Sequence, residues 1–310
     1  MSIGGGTGLS TLLRGLKNGP ADLSCIVTVT DDGGSSGRLR EDFGAMPPGD
    51  IRNCMIALSE DENLMSQLFR FRFNGKGELH DHSFGNLFLT AMAGVTRDFA
   101  EAVRLTSEVL AINGVIYPST NSNVILRADF EDGDSVAGET RIVNARKKIQ
   151  KISLDPAEAQ PMAGALDAIA AADLITIGPG SLYTSLIPNL LVAKIVDAIQ
   201  RSQARKIYIQ NIMTQPGETT GMSVADHVEA LVCHSGGKPL FSRILVNNAI
   251  PSEELLSKYR AEGAEFVTID RERLDSMGFE CVEYGLLAED GVIRHEPERL
   301  ARAVFRMAEF

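Results

Sequence analysis

Twice in this chain a short apolar run ends in a glycine turn and passes straight into residues with helical spacing. The first instance is Ile3, then Gly4-Gly5-Gly6-Thr7-Gly8, then Leu9, Leu12, Leu13 and Leu16. The second is Leu-Ile-Thr-Ile at 174–177, then Gly178-Pro179-Gly180-Ser181, then an apolar stretch over 182–200. A strand that turns sharply into a helix must return to the sheet by a right-handed crossover, so the pattern dictates parallel strands with helices on both faces. Further β-branched runs at 23–30, 206–211, 243–247 and 266–269 predict strands. Helical spacing marks 51–58, 64–73, 87–112, 223–233 and 252–262. The stretch 124–143 differs: VILRADF and ETRIV alternate around Glu131-Asp132-Gly133-Asp134, which reads as a β-hairpin. The expected architecture is a three-layer α/β/α fold with a mostly parallel, doubly wound sheet. It forms a single domain over 1–310, with a helical part and a β-hairpin insertion at about 124–152. Only Met1, Ser2 and Ile3 precede the first glycine turn, so the first strand is expected to be unusually short or clipped.

Composition narrows the function classes. The 310 residues carry 30 Lys plus Arg against 41 Asp plus Glu, a net charge of −11, and the pI is about 5.0. Neutralising nucleic-acid phosphates needs a basic face, so a general nucleic-acid binder is not expected. With 44% hydrophobic and 23% charged residues the chain is globular, not disordered. No apolar run reaches the roughly 18 to 20 residues of a membrane span, and no secretory signal is visible. Cys25, Cys54, Cys233 and Cys281 are scattered without a C-x-x-C pair. That suits reduced thiols and a cytoplasmic location.

In sheets of this kind ligands bind beyond the carboxyl ends of the strands. Residues 4–8 (Gly4, Gly5, Gly6, Thr7 and Gly8) let backbone N–H groups approach an anion at a helix N-terminus. The match is to neither strict fingerprint: Leu9 stands where G-x-G-x-x-G needs its third glycine, and no Gly-Lys follows. Gly178, Gly180 and Ser181 repeat the device, with Ser181 or Thr184 expected to cap the next helix. Asp31-Asp32-Gly33-Gly34-Ser35-Ser36-Gly37 reads as a polar loop after a strand. Its paired carboxylates suit a hydroxyl or a divalent cation, magnesium being the ion to consider, and Arg38 and Arg40 suit phosphate. In Pro47-Pro48-Gly49-Asp50-Ile51-Arg52-Asn53, Asp50 is expected as the N-cap. Arg52 is out of place near a positive helix end unless an anion is nearby. His80-Asp81-His82 lacks the further ligands of a metal site, and 82–86 is expected to place Asn86 at a helix start.

Together GGGTGLSTLLRGLK, TVTDDGGSSGRLR, PPGDIRN, HSFGNL, ITIGPGSLYTS, NIMTQPGET and GVIRHEP resemble the motifs of the gluconeogenesis-factor family. That family lies in the superfamily of the 2-phospho-lactate transferase of deazaflavin synthesis. The resemblance covers essentially the whole chain. It implies a cytoplasmic protein that binds UDP-sugars such as UDP-N-acetylglucosamine and supports growth on gluconeogenic carbon, cell shape and peptidoglycan synthesis. It also implies residue roles. The nucleotide or its phosphates would lie near residues 4–8, Gly178, Gly180, Ser181 and Arg294. A sugar or second-ligand pocket would comprise Asp31, Asp32, Ser35, Arg38, Arg52, Asn53, Asn86, Asn211 and Thr214, with Asp31 and Asp32 the candidate metal ligands. The expected partners are the UDP-sugar, cell-wall or regulatory proteins and a second copy of the chain as a homodimer.

Three functions stay open on the residues. One is a UDP-sugar-binding regulator. Another is a transferase moving a phospho-lactyl group onto a deazaflavin, but this loop reads DDGGSSGRLR where the transferase branch resembles a TGDD-type loop, and no nucleophile or His/carboxylate dyad stands out. The third is a dinucleotide-binding protein, in which Asp31 would imitate the acidic ribose ligand.

Overall fold

The computed structural model describes residues 1–60, 64–289 and 291–309. Its strands are β1 (Ser2–Gly4), β2 (Ser24–Val27), β3 (Val115–Pro118), β4 (Ile125–Phe130), β5 (Ser135–Ala137), β6 (Ile149–Asp155), β7 (Leu174–Ile177), β8 (Arg205–Ile209), β9 (Arg243–Asn247), β10 (Glu280–Tyr284), β11 (Leu287–Glu289) and β12 (Ile293–His295). Seven of them form one parallel sheet in the order β10-β9-β8-β7-β1-β2-β3. Helices cover both faces, as the strand–turn–helix pattern requires. The order runs outward in both directions from β1 and β7, so the switch point lies between the two strands that carry the glycine turns.

The first seven helices are α1 (Gly6–Leu16), α2 (Gly34–Phe43), α3 (Gly49–Leu58), α4 (Leu64–Arg70), α5 (Phe84–Thr96), α6 (Phe99–Val109) and α7 (Glu139–Ala145). Leu12 and Leu16 of α1 pack with Leu300, Val304 and Met307 of the helix Pro297–Ala308 against Ile207, Ile209 and Leu245 of the sheet. The i, i+4, i+7 spacing of Leu300, Val304 and Met307 puts one apolar stripe on the sheet. A larger core runs from Ile3, Ile26 and Val27 through Ile51 and Met55 of α3 to Leu126 and Ile152. Among the described residues no single helix is long and apolar enough to cross a membrane.

Several expectations need correction. The expected hairpin forms around 131–134 between β4 and β5, but β6 adds a third antiparallel strand, giving the order β5-β4-β6 and reaching Asp155. ETRIV is not its second strand but helix α7, stopped by Arg146 in the left-handed region at φ 50°. The expected strand at 266–269 reduces to one bridge between Phe266 and Met213, and the sheet is completed instead by β10. The stretch 182–200 is not one helix. It is a π-turn at Leu182–Leu186, a short helix Ile187–Leu191 and a helix Ile195–Arg201, the pieces bent by 80°. The stretch 87–112 divides into α5 and α6 at Arg97 and Asp98, and α4 ends at Arg70. The polar loop after β2 is shorter than expected, because α2 starts at Gly34 and places Ser35 and Arg38 on a helix.

Candidate functional site

Both glycine turns open on one cleft of about 460 Å³, lined by residues 5–8, Thr11, Gly180, Ser181, Asn211, Thr214, Tyr259, Arg294 and His295, among others. The turns touch. A Cβ on Gly8 would lie 2.6 Å from the Pro179 carbonyl oxygen, so only glycine allows this approach. The N-cap of α1 is Gly5, which has no side chain to offer, and the first turn of α1 carries no acidic residue. The positive end of the α1 dipole thus faces the cleft. Gly4 lies within β1, and its carbonyl accepts from Thr28 N–H and Asn189 Nδ2. Gly178 sits beneath the turn at φ 83°, where a Cβ would lie 2.8 Å from the Ile209 carbonyl.

The segment after β8 builds the second turn. Asn211 pairs with the Gly180 backbone in both directions: its Oδ1 accepts from Gly180 N–H at 3.1 Å, and its Nδ2 donates to the Gly180 carbonyl at 2.8 Å. Gln215 Nε2 donates to Ser181 Oγ at 2.8 Å. Glu218 accepts from Tyr183 N–H and Thr184 Oγ, both at 3.2 Å. It thereby caps the π-turn, a role expected of Ser181 or Thr184. Burial pushes the Glu218 carboxyl up to about 7. Thr214 Oγ accepts from Glu265 N–H at 2.8 Å, so its hydroxyl braces the loop at the cleft wall.

A second group of expected site residues gathers where α2, α3 and α5 meet. Ser35 Oγ and His82 Nδ1 share a 3.0 Å hydrogen bond, both buried. Arg38 donates to the His80 carbonyl at 2.7 Å, and Arg52 to Asn53 Oδ1 at 2.7 Å. Asn86 is buried with an unpartnered Oδ1. Desolvation, then Arg72, lowers the Arg52 guanidinium to about 10, so it stays charged. Arg40 donates to the Val124 carbonyl and to Asn123 Oδ1, both at 2.7 Å, tying α2 to the insertion.

Asp50 links this group to the first glycine turn. The N-cap of α3 is Pro48, not Asp50 as expected; Asp50 lies in the first turn. Its carboxylate accepts from Gly6 N–H, and a Cβ on Gly5 would lie 2.6 Å from its Oδ2. Desolvation and then Asp31 raise its pKa to about 7. Glu139, at the start of α7, is also raised well above the usual range by desolvation and by Asp31, Asp50, Glu218 and Asp32. Sequence reasoning missed Glu139, Glu218, Gln215, His82 and His295 as site residues and misread Asp50. For Asp50 and His295, adjacency to the expected motifs was an available signal.

The candidate metal ligands diverge. Asp31 Oδ1 accepts from Gly33 N–H at 2.9 Å, whereas Asp32 Oδ1 accepts from Thr140 N–H at 2.8 Å and Thr140 Oγ at 2.6 Å, capping α7. Among the described residues no three His, Cys, Asp or Glu side chains are grouped to hold an ion. The two carboxylates are thus engaged separately, each by donors of its own neighbourhood.

Fold and cleft together define an α/β protein with a glycine-walled cleft at the switch point of its sheet. A family model described as 2-phospho-L-lactate transferase matches residues 1–287. The chain is 51% identical over 306 residues to a putative gluconeogenesis factor of Nostoc sp., covering 98% of this chain and 67% of that one. It is 48% identical over 300 residues to the gluconeogenesis factor of Bacillus subtilis, covering 96% and 94%. A crystal structure of a Bacillus halodurans protein superposes with a TM-score of 0.95 at 46% identity, covering 98% and 97%. The chain belongs to the gluconeogenesis-factor family, within the 2-phospho-L-lactate transferase superfamily.

Proposed function

We propose that this chain is a cytoplasmic regulator that binds a UDP-sugar, UDP-N-acetylglucosamine, and reports precursor supply to cell-wall or regulatory proteins during gluconeogenic growth, supporting cell shape and peptidoglycan synthesis. One observation carries the ligand class: two glycine turns, a helix N-terminus and Arg294 converge on a single cleft. Backbone N–H groups and the helix dipole suit a diphosphate, and an arginine fork meets two of its oxygens. The net charge of −11 repels such a ligand at long range, so these local groups must supply the attraction. Equilibrium dialysis should find micromolar binding of UDP-N-acetylglucosamine. No binding at millimolar ligand, with binding of a guanosine diphosphate carrier, would favour the transferase reading instead.

The transferase reading has one observation on its side. The carboxylates of Asp50 and Asp31 lie against Gly5 and Gly49, beside the first glycine turn, and a second substrate of a transferase would have to lie on this side of the cleft. Release of a nucleotide on addition of a deazaflavin acceptor would support it.

A further inference from the structure

We propose that His295 is a specificity-determining residue of the cleft, its Nε2 accepting a hydrogen bond from a ligand hydroxyl next to the diphosphate. The inference rests on the nucleotide-sugar reading above.

His295 follows Arg294 in β12, lines the cleft and is 6% exposed. Its ring bonds the Gln210 backbone, while Nε2 has no partner. The bonded nitrogen is therefore Nδ1, which donates its hydrogen to the Gln210 carbonyl and fixes the tautomer. Burial pushes the imidazole down to about 4, so the ring is neutral at physiological pH. A neutral ring with Nδ1–H committed offers only a lone pair at Nε2. Leaving a buried acceptor unmet is costly, and a hydrogen-bond donor would offset that cost.

The chemistry of the cleft sharpens the point. The glycine turns and Arg294 present donors, which suit phosphate oxygens. His295 borders the same cleft with a buried, unmet acceptor, which a phosphate oxygen cannot satisfy. A small phosphate ester with no hydroxyl beside its anion would leave it unmet. A nucleoside diphosphate sugar carries hydroxyls on both sides of the diphosphate, on the ribose and on the hexose, so the acceptor selects for that class. Sites built to hydrogen-bond a hydroxyl discriminate strongly against analogues lacking it.

The test is calorimetric titration of the intact chain with UDP-N-acetylglucosamine and with analogues lacking one hydroxyl. The 2′- and 3′-deoxyribose compounds form one arm and the 3-, 4- and 6-deoxyhexose compounds the other. The wild type should lose tenfold or more in affinity for one analogue, and the arm in which it lies identifies the donor. His295→Leu should lose a similar factor on the parent ligand and nothing further on that analogue. His295→Gln, whose carbonyl can replace the acceptor, should recover part of the loss. Wild-type affinity unchanged within threefold across every analogue overturns the proposal, as does a His295→Leu protein that binds the parent normally. If His295→Leu fails to fold, the wild-type series still decides. Absence of any UDP-sugar binding by the wild type overturns the functional reading as well. Binding with indifference to every hydroxyl removes His295 alone.

Discussion

Glu218 holds its proton to near neutrality while capping the second turn, which ties the stability of the cleft wall to pH. Its folded pKa, about 7, lies above the ordinary 4.5. The stabilisation from this group is therefore fully present below about pH 4.5 and is lost as pH rises through 7. The full swing is about 3 kcal/mol as an order of magnitude. Glutamine copies the protonated form, accepting from Tyr183 N–H and donating to Thr184 Oγ. Glu218→Gln should flatten the fall in Tm between pH 5 and 8, measured by calorimetry; an unchanged pH slope would refute the assignment. Arg294→Ala should lower UDP-N-acetylglucosamine affinity by about ten- to a hundredfold, with near-normal stability of the free protein. An affinity within threefold of wild type in the same titration would take Arg294 out of the site. The glycine turns were legible in the sequence because the chemistry of a turn is written in adjacent residues, whereas Arg294 was expected only from the family resemblance. Glu218 was not legible, because its partners Tyr183 and Thr184 stand 35 and 34 residues away. Asp50 was misread for a related reason: an acidic residue early in a helix resembles a cap, and only the fold sets it against Gly6.

Between elements, the decisive approach is turn against turn. Gly8→Ala drives a methyl to within 2.6 Å of the Pro179 carbonyl, so α1 and the second turn must separate. The expected cost is about 1 to 3 kcal/mol in stability, as for other overpacked sites. UDP-N-acetylglucosamine affinity should also fall at least tenfold, because both turns line one cleft. Denaturant unfolding and dialysis on the same sample check both; wild-type values in each would show that the contact is slack. The amphipathic helix α1 and the continuously buried strands β7 and β9 could be read from their own residues. Segments placed by distant partners resisted. ETRIV alternates like a strand, yet Asp32 caps it as a helix from 108 residues away. The run at 266–269 looks β-branched but is engaged by the loop after β8 instead, through the Val267 N–H to Ile212 carbonyl bond.

At the scale of the molecule, the insertion is fastened to the main sheet by contacts from several directions. Asp32 bonds Thr140, the Ile152 N–H donates to His234 Nε2, and Gly217 packs so tightly on Val143 that a Cβ would lie 2.1 Å from its carbonyl. Such coupling predicts a single cooperative transition, coincident by near- and far-ultraviolet circular dichroism. Two separated transitions would mean that the insertion melts alone. UDP-N-acetylglucosamine should raise that single Tm progressively with its concentration.

The placement of β1 has a consequence for biosynthesis. Its three residues are flanked on one side by β2 and on the other by β7, whose first residue is Leu174. A ribosome emits the chain in order, so Ser2–Gly4 waits exposed on one edge until more than half of the protein has emerged. Ordering so distant a pair is slow, because the intervening loop must close before the contact contributes. During that interval the first glycine turn has no partner turn, and a nascent chain can hold no ligand. Completion of the cleft is thus a late event in synthesis, and premature termination before the second turn should release a chain that chaperones and proteases treat as unfinished.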